Sequence, residues 1–226
     1  MSYLRAKEIY QQAWQNNFPS PKACADYIET LKLSQHEIRL EVNLVVGTTN
    51  FQFALTPNQN NTSNLQFLTE NRLQMQDTMV ANEYGIFIAQ TAGQNDANYP
   101  LRTYPNTIDF PVAADQLSLK NIFYNNGYFR MTCNNDVIIP YRGLFNHLVV
   151  PMTQQTAAVG ANSPNDQIKG SEDGMITMEP NILLIGSKGY IPEIVLKAGL
   201  TAGLPANVRA VLIFRGILAQ NSTSVS

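Results

Sequence analysis

Residues 125–140 read NNGYFRMTCNNDVIIP. Asn-rich turns bracket a run in which Phe129, Met131 and Cys133 alternate with Tyr128, Arg130 and Thr132. A period of two sends successive side chains to opposite faces, so this is a strand with one apolar wall. Asn126-Gly127 reads as a tight turn, because both residues tolerate positive φ. Asn134-Asn135-Asp136 makes a second turn, and VIIP starts the next strand. Cys133 shares the inward face with Phe129 and Met131, and reads as a buried, inert thiol filling a wall.

The same period runs upstream. In HEIRLEVNLVV (36–46), Ile38, Leu40, Val42, Leu44 and Val46 alternate with Glu37, Arg39, Glu41 and Asn43. The runs FQFALT, LQFLT, NRLQMQ, TMVANEYGIFIAQ, TIDFPV, LSLKNIFY, MITMEP, NILLIGS and IPEIVLKA also read as strands. Turn residues recur every 8–12 positions, which is the spacing of a sandwich or barrel. NVRAVLIFRGILAQ (207–220) is apolar on both faces and reads as a central, covered strand. PNQNNTSN (57–64) and TQQTAAVGANSPNDQIKGSEDG (153–174) read as polar, exposed loops.

The N-terminus has a different period. Tyr3, Ala6, Tyr10, Ala13 and Trp14 recur at helical spacing over residues 3–17, and Phe18-Pro19 ends the run. Ser20-Pro21 then opens a second helix, with Ser20 as N-cap and Pro21 at the first helical position. Cys24 lies on its apolar stripe with Ala23, Tyr27, Ile28 and Leu31. The chain therefore divides into a helical N-terminal arm, residues 1–35, and a mainly β remainder.

Charged residues make up only 14% of the 226, and 24 Asn and 16 Gln take their place. Such a surface hydrogen-bonds to neighbours without the cost of burying charge. It suits a protein packed against copies of itself, and it also suits sugar binding. A net charge of −2 without any basic run is not the footprint of a nucleic-acid binder. Two distant cysteines form neither a disulfide framework nor a zinc motif. The N-terminus lacks the apolar core of a secretion signal, and no apolar run reaches membrane-span length, so the chain reads as soluble and kept in a reducing compartment.

Few residues in the sequence carry the chemistry of a site. His36 reads as a surface residue at the start of a strand. His147, beside apolar residues in GLFNHLVVPM, reads as a buried histidine satisfied by backbone, although a Cys133–His147 nucleophile pair is compositionally open. Glu172-Asp173 reads as a solvated loop pair. With Asp166 it lacks the spacing of a calcium loop. GTTN, GSKG and GLTAG lack phosphate-loop patterns. The sequons at Asn60, Asn61 and Asn221 matter only on a glycosylating route. The sequence thus assigns no catalytic, cofactor-binding or metal-binding residues, and no cofactor.

Three stretches, LTENRLQMQDTMVANEYGIFIAQ (68–90), LRTYPNTIDFP (101–111) and LFNHLVVPMTQ (144–154), resemble capsid proteins of small tailless, membrane-containing icosahedral phages. Those belong to the double-jelly-roll major capsid lineage. The resemblance implies two side-by-side eight-stranded barrels, residues 36–120 and 121–226, with the helical arm before them. Residues 36–226 would then hold about sixteen strands, which requires short loops. It further implies a structural, non-enzymatic virion protein assembled in the host cytoplasm. Its partners would be itself as a homotrimer, neighbouring capsomers, other capsid or vertex proteins and, through the arm, an inner viral membrane; specific nucleic-acid binding is not expected. A single jelly roll with long loops is the alternative fold. A carbohydrate- or receptor-binding spike or fibre head, using Tyr99 and Tyr104 to stack sugars, is the alternative function.

Overall fold

A computed structural model describes residues 2–55, 73–90, 99–106, 109–149, 174–201, 204 and 207–222. The order is α1 (Tyr3–Trp14), α2 (Pro21–Thr30), β1 (Leu33–Asn43), β2 (Asn50–Gln52), β3 (Thr78–Gln90), α3 (Ala113–Ser118), β4 (Gly127–Cys133), β5 (Asp136–Gly143), β6 (Met175–Ile185), β7 (Tyr190–Leu196) and β8 (Val208–Ala219). The strands form two four-stranded antiparallel sheets, ordered β1-β8-β3-β6 and β2-β7-β4-β5.

The expected mainly β chain with a helical N-terminal arm is present, but two barrels are not seen among the described residues. The described strands number eight, not about sixteen. They do not part at residue 120 either: β1 and β3 share a sheet with β6 and β8, and β2 shares the other with β4, β5 and β7. The reason lies in strand length. β1, β3, β6 and β8 run 11 to 13 residues, about twice an ordinary strand, so fewer strands use up the same chain. MITMEP and NILLIGS, read as two strands, are one.

The two sheets face each other across one core. Ile38, Leu40, Val42, Ile86, Ile88, Leu212 and Phe214 from the first sheet meet Phe51, Phe129, Met131, Ile194 and Leu196 from the second. The alternation in 36–46 holds as far as Leu44, whereas Val46 lies beyond the strand and is exposed. In β3 a bulge at Asn82 switches the inward set from Met79 and Ala81 to Tyr84, Ile86 and Ile88. β8 lies centrally between β1 and β3, as its two-sided apolar pattern requires.

The hairpin at Cys133 forms as read, with a shift of turn geometry. Asn134 and Asn135 both have positive φ, 49° and 72°, in a two-residue loop between β4 and β5. Gly127 does not, among the described residues with positive φ. It is needed for close approach instead: a Cβ there would strike the Phe123 carbonyl oxygen and lie 2.7 Å from Leu144 Cδ1.

LSLKNIFY is helical, not a strand. α3 continues into a π-helical turn, Leu119–Tyr124, and Leu119, Ile122 and Phe123 reach the core at i, i+3 and i+4. In TIDFPV, Thr107 and Ile108 lie outside the described residues, and Asp109–Val112 is turn and bend, with the Asp109 N–H donating to Asn106 Oδ1 at 2.7 Å. In NRLQMQ, Leu73–Gln76 is loop. LQFLT, the 57–64 loop and residues 153–173 lie outside the described residues.

The N-terminal helices are part of the fold. Ser20 caps α2 by accepting from the Ala23 N–H, as expected. Ala6, Tyr10, Trp14, Cys24 and Ile28 pack on Val80, Ile217 and Ala219, which stand on the outer face of the first sheet. The Tyr10 hydroxyl reaches two strand carbonyls, Ile217 O at 2.9 Å and Thr78 O at 3.2 Å. Tyr10 stacks on Trp14 with centroids 4.9 Å apart. The apolar stripe of the arm is thus occupied by its own sheet. Tyr3 and Leu4 remain exposed at its start.

Candidate functional site

The outer faces of the two sheets differ. The first is covered at one end by α1 and α2, and at the other by residues 99–101 packing on Phe87, Ala89, Val211 and Ile213. A buried ionic network pins that second cover. Arg209, fully buried near the start of an apolar strand, donates from Nη1 to Glu41 Oε2 at 3.0 Å. Arg39 Nε donates to the other oxygen of Glu41 at 2.9 Å. Both guanidinium groups lie over the ring of Tyr99, at 5.0 and 5.4 Å from its centroid. Burial foremost, with Glu41 adding to it, pushes the Tyr99 phenol up to about 12. Tyr99 is therefore engaged by two arginines and is not a free stacking platform, and Tyr104 is half-buried. The sequence signal was Arg209 inside an apolar run, which needs a buried carboxylate opposite it.

Between these covers a cleft of about 390 Å³ opens at the β3 bulge, lined by His36, Glu37, Asn82, Glu83 and Arg215. Glu37 pairs with Arg215 at 2.9 Å. His36, expected at the surface, is half-buried here, and burial lowers its pKa against the opposing pull of Asp77 and Glu37.

The second sheet's outer face carries no such packing element among the described residues, and it displays aromatic and branched side chains. Ile191, Val137 and Tyr141 are 43%, 58% and 55% exposed. The register explains how they come together. β5 shifts against β4 between Phe129 and Met131, so Arg130 faces Tyr141 across the irregularity, and its guanidinium lies 4.9 Å over the Tyr141 ring. Tyr128 meets Tyr141 edge-on at 6.2 Å. Beneath, Glu193 is buried and accepts from Arg130 Nε at 2.7 Å and from Asn50 Nδ2 at 3.0 Å. The hydrogen bond to Glu193 is the chief reason the Arg130 guanidinium is held above its ordinary range. Beside this network lies an apolar cup of about 420 Å³, formed by Tyr128, Tyr141, Val195 and Leu196, with Lys197 at its rim. The outward set Tyr128, Arg130 and Thr132 was legible in the sequence, but the shift that brings Tyr141 to it was not.

The residues weighed for chemistry have separate surroundings. Cys133 is buried in the main core, near Tyr190 and Lys188, and burial raises its thiol. Cys24 is buried in the cluster under the helices, its thiol 3.9 Å from Gln11 O. His147 is fully buried, its Nδ1 3.2 Å from Gly174 O and its ring edge-on to Tyr84 at 5.0 Å. Burial lowers it to about 4, so it is neutral at ordinary pH and donates to that carbonyl. Asp166, Glu172 and Asp173 lie outside the described residues. Among the described residues no three His, Cys, Asp or Glu side chains group as metal ligands, and no helix is long and apolar enough to cross a membrane. Comparison with protein-family models, with curated proteins and with solved structures gives no match.

Proposed function

We propose that the chain is a structural shell subunit built on a single eight-stranded jelly roll, and that trimers of it tile an icosahedral virion. The observation that carries this reading is the strand order. Labelled along the chain, strands 1-8-3-6 face strands 2-7-4-5, the order of two interlocked Greek keys, an architecture shared by viral capsid and lectin domains. The resemblance of residues 68–90, 101–111 and 144–154 to phage capsid proteins favours the shell over the lectin. One barrel per chain gives a trimer of three barrels, so a pseudo-hexagonal outline would need six chains.

The uncovered face of the second sheet supplies a contact surface of the right character. Aromatic and branched groups stand around a network of Arg130, Glu193 and Asn50 that holds their positions, and interfaces are enriched in Tyr and Arg at their centres. The arm, having spent its stripe on the barrel, contributes Tyr3 and Leu4 to contacts with neighbouring capsomers or an inner membrane. Tyr141→Asp tests the face. The variant should fold with unchanged circular dichroism and sediment as a monomer where the parent is a trimer. Unchanged assembly would remove this face from the reading.

The tyrosine pair also supports a second reading, a glycan-binding head, since sugars stack on exposed aromatic rings. Tyr128 and Tyr141 would replace Tyr99 and Tyr104 in that role. A glycan array with the purified protein separates the two readings.

A further inference from the structure

Among the described residues the sandwich has an open side. β5 is the edge of one sheet and β6 the edge of the other, and each carries a proline, Pro140 and Pro180, where a partner strand would seek an N–H. β6 also bows away from β3: Ala81 pairs with Ile182 and Glu83 with Thr177, leaving residues 178–181 opposite Asn82 alone. The result is a slot of about 330 Å³ between the two edges, near the lower size limit of small-molecule sites. Ile139, Met178 and Ile182 give it an apolar floor.

Two donors converge on that floor. Tyr84 is 5% exposed and lines the slot, yet its hydroxyl makes no hydrogen bond among the described residues. Its ring is buried, whereas the hydroxyl is not among the enclosed polar atoms that lack a partner. Arg142 pairs in register with the inward-facing Phe129, so it stands on the inner side of the edge strand. It lines the slot and forms no ion pair among the described residues. It lies close enough to Tyr84 to oppose the rise that burial imposes on the phenol. Arg142 is an exposed residue, and an inward charge on an edge strand also discourages edge-to-edge pairing. Glu179 stands on the opposite, β6 rim.

We propose that this slot binds a monocarboxylate with a short hydrocarbon tail, its head on Arg142 and the Tyr84 hydroxyl and its tail over Ile139, Met178 and Ile182. A guanidinium and a phenol O–H complement the two oxygens of a carboxylate, while Glu179 repels the head from the β6 side and so fixes its orientation.

Octanoate is the probe, titrated by calorimetry and by amide chemical shifts into the full chain. Saturable binding at one per chain is expected, with octanol and acetate each at least about tenfold weaker, since a hydrogen bond to a charged group and the tail both contribute. Arg142→Gln should weaken octanoate about tenfold or more and Tyr84→Phe several-fold, whereas Glu179→Gln should tighten it. Circular dichroism confirms that each variant is folded. Absence of saturable binding to the parent would overturn the proposal. So would octanol binding as well as octanoate, or a folded Arg142→Gln variant that binds octanoate unchanged.

Discussion

Trp14 is the only tryptophan in the chain and lies 1% exposed between α1 and the first sheet. Replacing it by alanine removes the largest side chain from that layer. Trp-to-Ala changes in cores cost about 3–5 kcal/mol. The ring stacks on Tyr10 at 4.9 Å and meets Tyr27 edge-on at 6.3 Å, which favours a large loss. Against this, its indole N–H is buried without an acceptor among the described residues, a burden the alanine relieves. We therefore expect about 3 kcal/mol. With urea slopes of about 1–3 kcal/mol per M, the midpoint followed by far-ultraviolet circular dichroism should fall by roughly 1–3 M. Trp14→Phe keeps the stacking and drops the idle N–H, and should stay within about 1 kcal/mol of the parent. Leu4→Ala, at an exposed position on the same helix, should change stability by less than about 0.5 kcal/mol. The parent's tryptophan emission should be blue-shifted and resist acrylamide. A Trp14→Ala midpoint equal to that of Leu4→Ala would refute the packed arm.

Three further outcomes follow from single groups. His147 falls from an ordinary 6.5 to about 4 in the fold, so the stability it carries is fully present above pH 6.5 and lost as pH falls toward 4. About 2.5 pH units at about 1.4 kcal/mol each give about 3.5 kcal/mol in full, of which about 3 kcal/mol is lost by pH 4; urea melts at pH 7 and pH 4 should show an acid loss smaller by about 3 kcal/mol in His147→Phe, and equal losses would contradict the assignment. Gly127→Ala should cost at least about 2 kcal/mol because its Cβ meets the Phe123 backbone and Leu144, whereas Gly47→Ala, at φ 81° in open space, should cost about 1 kcal/mol; thermal melts rank the pair. Cys133 and Cys24 should label slowly with a thiol reagent in the native state and at once in urea, and Cys133→Ala should cost about 1–2 kcal/mol, whereas rapid native labelling would sink the packing role.

Local period was the most legible property of this sequence. It placed β1, β4, β7 and β8, the inward faces of Cys133 and Leu40, and both N-terminal helices with the Ser20 cap. It failed where two periods fit one short apolar run: Leu119, Ile122 and Phe123 satisfy a helix, and LSLKNIFY alone does not exclude a strand. It could not see partners distant in sequence. Glu41 looked like a solvated outward residue until Arg209 arrived 168 positions later to bury it. The same blindness hid the candidate surface, because Tyr141 reaches Arg130 only through a register shift that depends on backbone pairing. The described strands are fewer than expected for a simpler reason: four of them are about twice the ordinary length.

The central proposal, that this two-sheet β protein is a shell subunit, is tested most directly by the mass of what it forms. Sedimentation velocity on the purified chain across salt and pH, followed by electron microscopy of the fastest species, should show trimers that convert to closed icosahedral particles holding hundreds of copies. A protein that stays monomeric under every condition, or stops at one small oligomer that never closes, would contradict it.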